Sequence, residues 1–364
     1  MTTASARVVA QPVVEQLDVV LVNATLGAQG GVTIDIENIV RGLLDRGHRP
    51  VVTTTMQSVV RGLRGRPNAV VHAFGLLPVL AEWFAMVAAK ATGRMLVWTP
   101  VFHQSRVSSW PERRQDWKMF VPFRVMRAFD IVMPRAARFT DAVIAATESE
   151  AAYFRRMGAK RVEVIPPGVP ALGRRATSDE SARFRNSFHL AEGPVVLIVS
   201  RDDSRKGLAF GLAAFQRLRN HMPEAQLLLL GPPVDHPASR QDGVRCPGWV
   251  GPTEVELAYA SSSVLFVPSL YEGLPRAVVE AWAFGLPVVA TNRIPLAPQV
   301  EGLTGRTVPY NDLERAAEAL DEVISLPDAY GENGRRLVEE GFLLERIVGR
   351  TIDLYQQLAR RSFG

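Results

Sequence analysis

The chain has 364 residues, 47% of them apolar and 22% charged, with a net charge of +5. That length fits about two domains of ordinary size, and that balance excludes a disordered or fibrous chain. A lone cysteine, Cys246, excludes an intrachain disulfide and fits a reducing compartment.

In chain order, Val19–Val22 reads as a buried strand. Val32–Arg46 follows with Val32, Ile36, Ile39, Val40, Leu43 and Leu44 at helical spacing, and Gly47 stands where a helix-ending glycine belongs. Further strands are expected at Pro50–Thr54, Ala69–Ala73, Met95–Thr99, Ala142–Ala145 and Val162–Ile165, with helical stretches between most of them. Pro166-Pro167-Gly168-Val169-Pro170 ends this series, and a polar stretch leads to a helix start at Thr177 to Glu180. A second series expects strands at Val195–Val199, Gln226–Leu230, Gly243–Arg245, Val264–Val267, Pro287–Ala290 and Arg306–Val308. Leu343–Arg361 closes the chain as an amphipathic helix carrying Ile347, Ile352, Leu354, Tyr355 and Leu358. Such alternation predicts an α/β protein with two parallel sheets and a hinge near residue 170. The expected units are 1–170, 171–342 and a C-terminal helix over 343–364. The apolar runs fall far short of the ~20 residues of a membrane span. Residues 1–16 lack the layout of a secretory signal, so a cytoplasmic location is expected.

Ligands of such sheets gather at the carboxyl ends of the strands, and four motifs fall there. The run SLYEGLPRAVVEAWAFGLPVVAT, from Ser269 to Thr291, places Glu272 in the turn after a strand and Glu280 on the helix that follows. Pro275 suits the first position of that helix. The amides near Gly273 and Leu274 then make an anion site. Two carboxylates flanking an anion match the sugar hydroxyls, diphosphate and ribose of a nucleotide sugar. The plain alternative is two surface glutamates. Arg201 and Lys206, in SRDDSRKG after Val195–Val199, offer a fork and a point charge to phosphate oxygens; the alternative is a solvated charged turn. Asp202-Asp203 could attract a cation, but Arg201, Arg205 and Lys206 surround it, so no metal is assigned. Gly30-Gly31 follows the first strand and lets backbone approach a phosphate, or forms a plain tight turn. His103 follows the strand ending at Thr99 and should face the cleft, unless it merely packs there; His72 could line the cleft too.

These motifs resemble the E-x7-E region of retaining glycosyltransferases of family 4. The resemblance spans nearly the whole chain and is sharpest in its second half. It implies the GT-B fold, two Rossmann-like domains facing a central cleft, with the C-terminal helix crossing back to the first. It implies that Glu272 and His103 contact the donor sugar and Glu280 the ribose. It places Arg201, Lys206, Gly30, Gly31, Gly273 and Leu274 on the diphosphate, and Gly248, Trp249 and Val250 in the loop against the base. Two departures are Pro167 in place of an asparagine at the hinge and Asn292-Arg293 where a glycine pair is usual. The implied activity is metal-independent transfer, by front-face attack, of a hexose-type sugar from a nucleoside-diphosphate sugar, UDP favoured over GDP, with no further cofactor. The acceptor would be a glycan, lipid-linked or a small metabolite. A non-catalytic nucleotide-sugar-binding subunit on the same fold is the alternative. A pyridoxal-phosphate phosphorylase is disfavoured, because no lysine follows Lys206.

Residues 105–138 hold eight basic and three acidic side chains, the whole surplus of the chain, interleaved with Trp110, Trp117, Phe120, Phe123 and Phe129. Two readings stay open: an interfacial helix on an anionic membrane surface, making the protein peripheral at the inner face, or an amphipathic helix packed on its own domain. Nucleic acid is not an expected partner, since the cleft motifs need another ligand.

Overall fold

The computed structural model describes residues 16–23, 31–75, 80–100 and 132–361. Two six-stranded sheets, all of their pairs parallel, carry the fold. The first comprises β1 Asp18–Val22, β2 Arg49–Thr53, β3 Val70–Phe74, β4 Leu96–Thr99, β5 Ala142–Ala145 and β6 Val162–Val164, in the order β2-β1-β3-β4-β5-β6. The second comprises β7 Val195–Val199, β8 Gln226–Leu230, β9 Val244–Gly248, β10 Val264–Val267, β11 Val288–Thr291 and β12 Gly305–Val308, in the order β12-β11-β10-β7-β8-β9. Every expected strand is present. The central strands are apolar on both faces because helices cover both sides, so they read as continuous runs rather than alternations.

The first sheet is covered by α1 Gly31–Asp45, α2 Met56–Leu63, α3 Leu80–Ala91 and α4 Glu148–Arg156. The second is accompanied by α5 Ser178–Ser187, α6 Leu208–Arg219, α7 Pro252–Ser261, α8 Arg276–Ala283, α9 Ala297–Val300, α10 Leu313–Ser325 and α11 Pro327–Gly341. α5 starts at the expected capping box: Thr177 accepts from the Glu180 amide and Glu180 returns a bond to the Thr177 amide. Gly47, at φ 74°, turns the chain out of α1 in the left-handed region that glycine favours.

The last helix, α12 Leu344–Arg361, belongs by packing to the first sheet. Its Ile347, Val348, Ile352, Leu354, Tyr355 and Leu358 share a core with Leu21, Ile36, Leu43, Val70 and Val97. A side chain on Gly42 of α1 would strike Val348, so the two helices meet at the glycine. The chain thus passes between the sheets twice, near 165–170 and near 342–344. The two passages bond to each other: Val169 donates to Phe342 O (2.9 Å), and Leu344 donates to Val169 O (2.8 Å).

Of the basic segment, residues 101–131 lie outside the described residues. Its end is helical, and Met133, Ala136 and Ala137 are buried in the core of the first sheet while Arg135 and Arg138 are exposed. Among the described residues no helix is long and apolar enough to cross a membrane.

Candidate functional site

Parallel strands bring all their carboxyl ends to one edge of a sheet, so the loops after β7, β9 and β10 gather there regardless of their distance in sequence. After β7 the chain makes a short 3-10 helix, Ser204–Lys206, then a left-handed turn at Gly207 (φ 62°), and only then enters α6. Gly207 is obligatory: a Cβ there would overlap the Pro268 carbonyl of the next loop. Arg205 O accepts from the amides of Leu270 (2.8 Å) and Tyr271 (3.4 Å), locking the two loops together.

That lock brings Lys206 onto Glu272. Lys206 Nζ lies 2.7 Å from Glu272 Oε1, and Ser269 Oγ donates to the same oxygen at 2.7 Å. The Glu272 side chain is only 8% exposed, so the lysine neutralises a carboxylate with little access to water. Thr291 at the end of β11 fixes this loop by donating to Ser269 O (2.5 Å). Arg201 is exposed at the start of the β7 loop. Asp203 is engaged by Arg205 through backbone and guanidinium (3.0 Å each), which holds its carboxyl down at about 2. Asp203 therefore caps the Arg-Lys turn, while Asp202 is exposed.

α8 begins at Arg276, with Pro275 as its cap residue rather than its first helical residue. Gly273 and Leu274 thus precede the helix as half-buried loop residues. Glu280 lies in the second turn. Its Oε2 accepts from the buried Tyr259 hydroxyl of α7 at 2.8 Å, and Arg276 Nε is 3.5 Å from its Oε1. The base-loop candidates leave β9: Gly248 at φ 85°, then Trp249, 63% exposed, then Val250, which packs on the core.

On the first sheet, Gly31 is the first residue of α1, whereas Gly30 and His103 lie outside the described residues. His72 does not line the cleft. It is fully buried on β3, bonded through Nδ1 to the Tyr355 hydroxyl of α12 (2.6 Å) and through Nε2 to Thr99 Oγ1 (2.7 Å). Burial pushes it down to about 3, so it stays neutral, one nitrogen donating and the other accepting. It is a structural histidine that ties the last helix to the end of β4.

Three participants escaped the sequence reading. Ser269, the first residue of the Glu272–Glu280 run, and Tyr259, which sits in no motif, orient the two glutamates. Arg276 lies inside the motif, four residues before Glu280, and that spacing was a legible signal for a helical ion pair. It also reaches Asp35 of α1, with Nη1–Oδ1 at 2.5 Å.

A second buried carboxylate, Glu150, sits in the first turn of α4, just beyond the end of β5. It accepts the Ala146 amide at 2.8 Å, and burial pushes it up to about 7. Its folded pKa exceeds the ordinary carboxylate value, so the folded chain binds this proton more tightly than the unfolded chain does. The destabilisation it brings is therefore full above about pH 7 and relieved as pH falls toward 4.5. Glu150→Gln keeps an acceptor oxygen for Ala146. Its unfolding midpoint should exceed wild type at pH 8, and the gain should vanish near pH 4; a gain that is flat with pH would contradict the assignment.

Comparison with known proteins agrees with this fold. Residues 55–168 match the family model described as glycosyl transferase 4-like domain, and residues 193–325 the model described as glycosyl transferases group 1. An uncharacterized glycosyltransferase of Haemophilus influenzae is 30% identical over 174 residues, 45% of this chain and 49% of that protein. An MMP alpha-(1->4)-mannosyltransferase of Mycolicibacterium hassiacum is 28% identical over 215 residues, 56% of this chain and 50% of that protein. The chain spans about half the length of these curated relatives in each match. Among solved structures, a sucrose-phosphate synthase from Thermosynechococcus elongatus superposes with a TM-score of 0.77 at 21% identity, covering 94% of this chain and 99% of that one. HepE of Anabaena in complex with UDP-glucose gives 0.73 at 17% identity, covering 93% and 99%. The structural likenesses establish the fold, the two family models fall one on each sheet, and the chain belongs to the family-4-like glycosyltransferases of GT-B fold.

Proposed function

We propose that the chain transfers a hexosyl group from a nucleoside-diphosphate sugar to an acceptor hydroxyl, with retention at the anomeric carbon and without a metal ion. The observation that carries this reading is the Lys206–Glu272 contact: it sets a cation and a sugar-holding carboxylate side by side at the junction of the β7 and β10 loops. Residues 171–342 hold the donor, and residues 1–170, with the helix Leu344–Arg361 packed on their sheet, hold the acceptor.

Arg201 and Lys206, with the amides of Gly273 and Leu274, take the diphosphate, and Glu280 the ribose. Gly30 and Gly31 approach the phosphates from the first sheet. His103 and Glu272 fix the sugar, and Gly248, Trp249 and Val250 border the base. The acceptor oxygen bonds to the anomeric carbon on the face the diphosphate leaves. The bond from that carbon to the phosphate oxygen breaks, and the departing diphosphate takes the acceptor proton. Charge grows on the diphosphate as this happens, so fixed cations there stabilise the transition state more than the ground state. The chain's own cations supply the charge that a divalent ion supplies elsewhere. Activity in the presence of a chelator is the corresponding expectation.

Relatives differ in what they use: one is named a GDP-mannose-dependent phosphatidylinositol monomannoside mannosyltransferase of Mycobacterium tuberculosis, while HepE was solved with UDP-glucose. The deciding measurement is a thermal-shift series with UDP, GDP, ADP and dTDP. A binder at about 100 times its Kd stabilises by roughly 2.7 kcal/mol, and the matching donor sugar should then release that diphosphate on incubation. Stabilisation by none of the four would remove this reading. Binding without release of diphosphate, whatever acceptor is offered, would favour a non-catalytic binding subunit.

A further inference from the structure

Arg276 stands apart from the other residues of its motif because it leaves its own sheet. It is the first residue of α8, yet its guanidinium reaches Asp35 of α1, 241 residues away in sequence. Its stem crosses Gly31: a Cβ on that glycine would come within 2.9 Å of Arg276 Cδ. Gly31 therefore has a second reason to lack a side chain, beyond approach to a phosphate. The same guanidinium faces Glu280, whose other oxygen is held by Tyr259. Tyr259, Glu280, Arg276 and Asp35 thus form one polar chain from the buried core of the second sheet to the glycine-loop helix of the first.

We propose that Arg276 is a positioning residue that couples donor binding to closure between the two sheets: one guanidinium holds Glu280 in register and clamps α8 to α1 through Asp35. The proposal rests on the reading of Glu280 as the ribose-holding carboxylate. A planar fork can serve two carboxylates at once, which a lysine ammonium cannot do with the same fixed geometry. Burial outweighs Arg276 at Asp35 and, with a smaller push from Glu280, raises that carboxyl to about 6. Desolvation of Asp35 thus costs more than Arg276 returns, as it can in a buried ion pair. Removing Arg276 alone, which leaves the Asp35 carboxylate without its cation, should then hurt more than removing both.

The test compares wild type, Asp35→Asn, Arg276→Gln and the double variant, with Arg276→Lys alongside. Without ligand, unfolding midpoints should be non-additive, with the double variant no less stable than Arg276→Gln alone. Simple addition of the two shifts would mean that the bridge does not form, and would overturn the proposal whatever the protein binds. With UDP as titrant, or whichever nucleoside diphosphate stabilises the wild type, Arg276→Gln, Arg276→Lys and Asp35→Asn should each lose about three- to tenfold in affinity, and the double variant no more. An unchanged affinity would reduce Arg276 to a structural ion pair. A loss in Arg276→Gln that Asp35→Asn does not share would make Arg276 a direct phosphate contact instead. If no nucleoside diphosphate binds the wild type, the donor reading and the positioning role fall together, and the ligand-free cycle alone judges the bridge.

Discussion

Lys206→Ala should weaken nucleoside diphosphate binding by about ten- to a hundredfold, the loss of one charge-assisted contact worth roughly 1.5–3 kcal/mol. It should also lower the unfolding midpoint. Lys206 is the cation hydrogen-bonded to Glu272, whose side chain is 8% exposed, and without it only the Ser269 hydroxyl and the electrostatic influence of Arg205 act on that charge. A carboxylate left buried without its cation is destabilising. The double variant Lys206→Ala/Glu272→Gln separates the two effects. It should regain stability, because the stranded charge is gone, while affinity stays low, because the diphosphate still lacks its lysine. Calorimetric titration with the nucleoside diphosphate and a melting curve on the same samples decide the matter. Wild-type affinity in Lys206→Ala would move the diphosphate elsewhere.

Glu272→Gln should reduce transfer by about a hundredfold or more, the scale of losing a polar contact made at the reacting sugar. Binding of the free nucleoside diphosphate should hold or rise slightly. The reason lies in the ligand-free geometry: Glu272 competes with phosphate for Lys206, and the amide competes less. Glu280→Gln should behave differently. It sits on α8, bonded to Tyr259 of α7 and facing Arg276 rather than the lysine, so it should weaken free nucleotide and donor alike. Turnover rates set against nucleotide affinities for the two variants test this division of roles. Equal losses of affinity in both would refute it.

The candidate site in the second half of the chain was legible because its pattern is local. A strand, a turn and a helix start place Glu272 and Glu280 on consecutive elements, and the same holds for Arg201 and Lys206. The parallel topology could be expected from the alternation of apolar runs with helices, since both faces of each sheet are buried. The return of the last helix to the first sheet was implied by the family resemblance alone, because an apolar stripe demands a partner without naming it.

What the sequence could not supply was which charges meet. His72 and His103 both follow or end strands, and nothing in its neighbours marks His72 as buried. Its partners, Tyr355 and Thr99, lie 283 and 27 residues away. Local capping is partly legible, as at Thr177, but the left-handed turn at Gly207 depends on the Pro268 carbonyl arriving from another loop. The same limit applies to Arg276. Its spacing to Glu280 is written in the helix period, whereas its contact with Asp35 exists only because two sheets, built from separate halves of the chain, are brought edge to edge. Hydrophobic periodicity and turn chemistry act over a few residues and so determine the elements. Ion pairs and buried hydrogen bonds form between elements, and only the tertiary structure decides their partners.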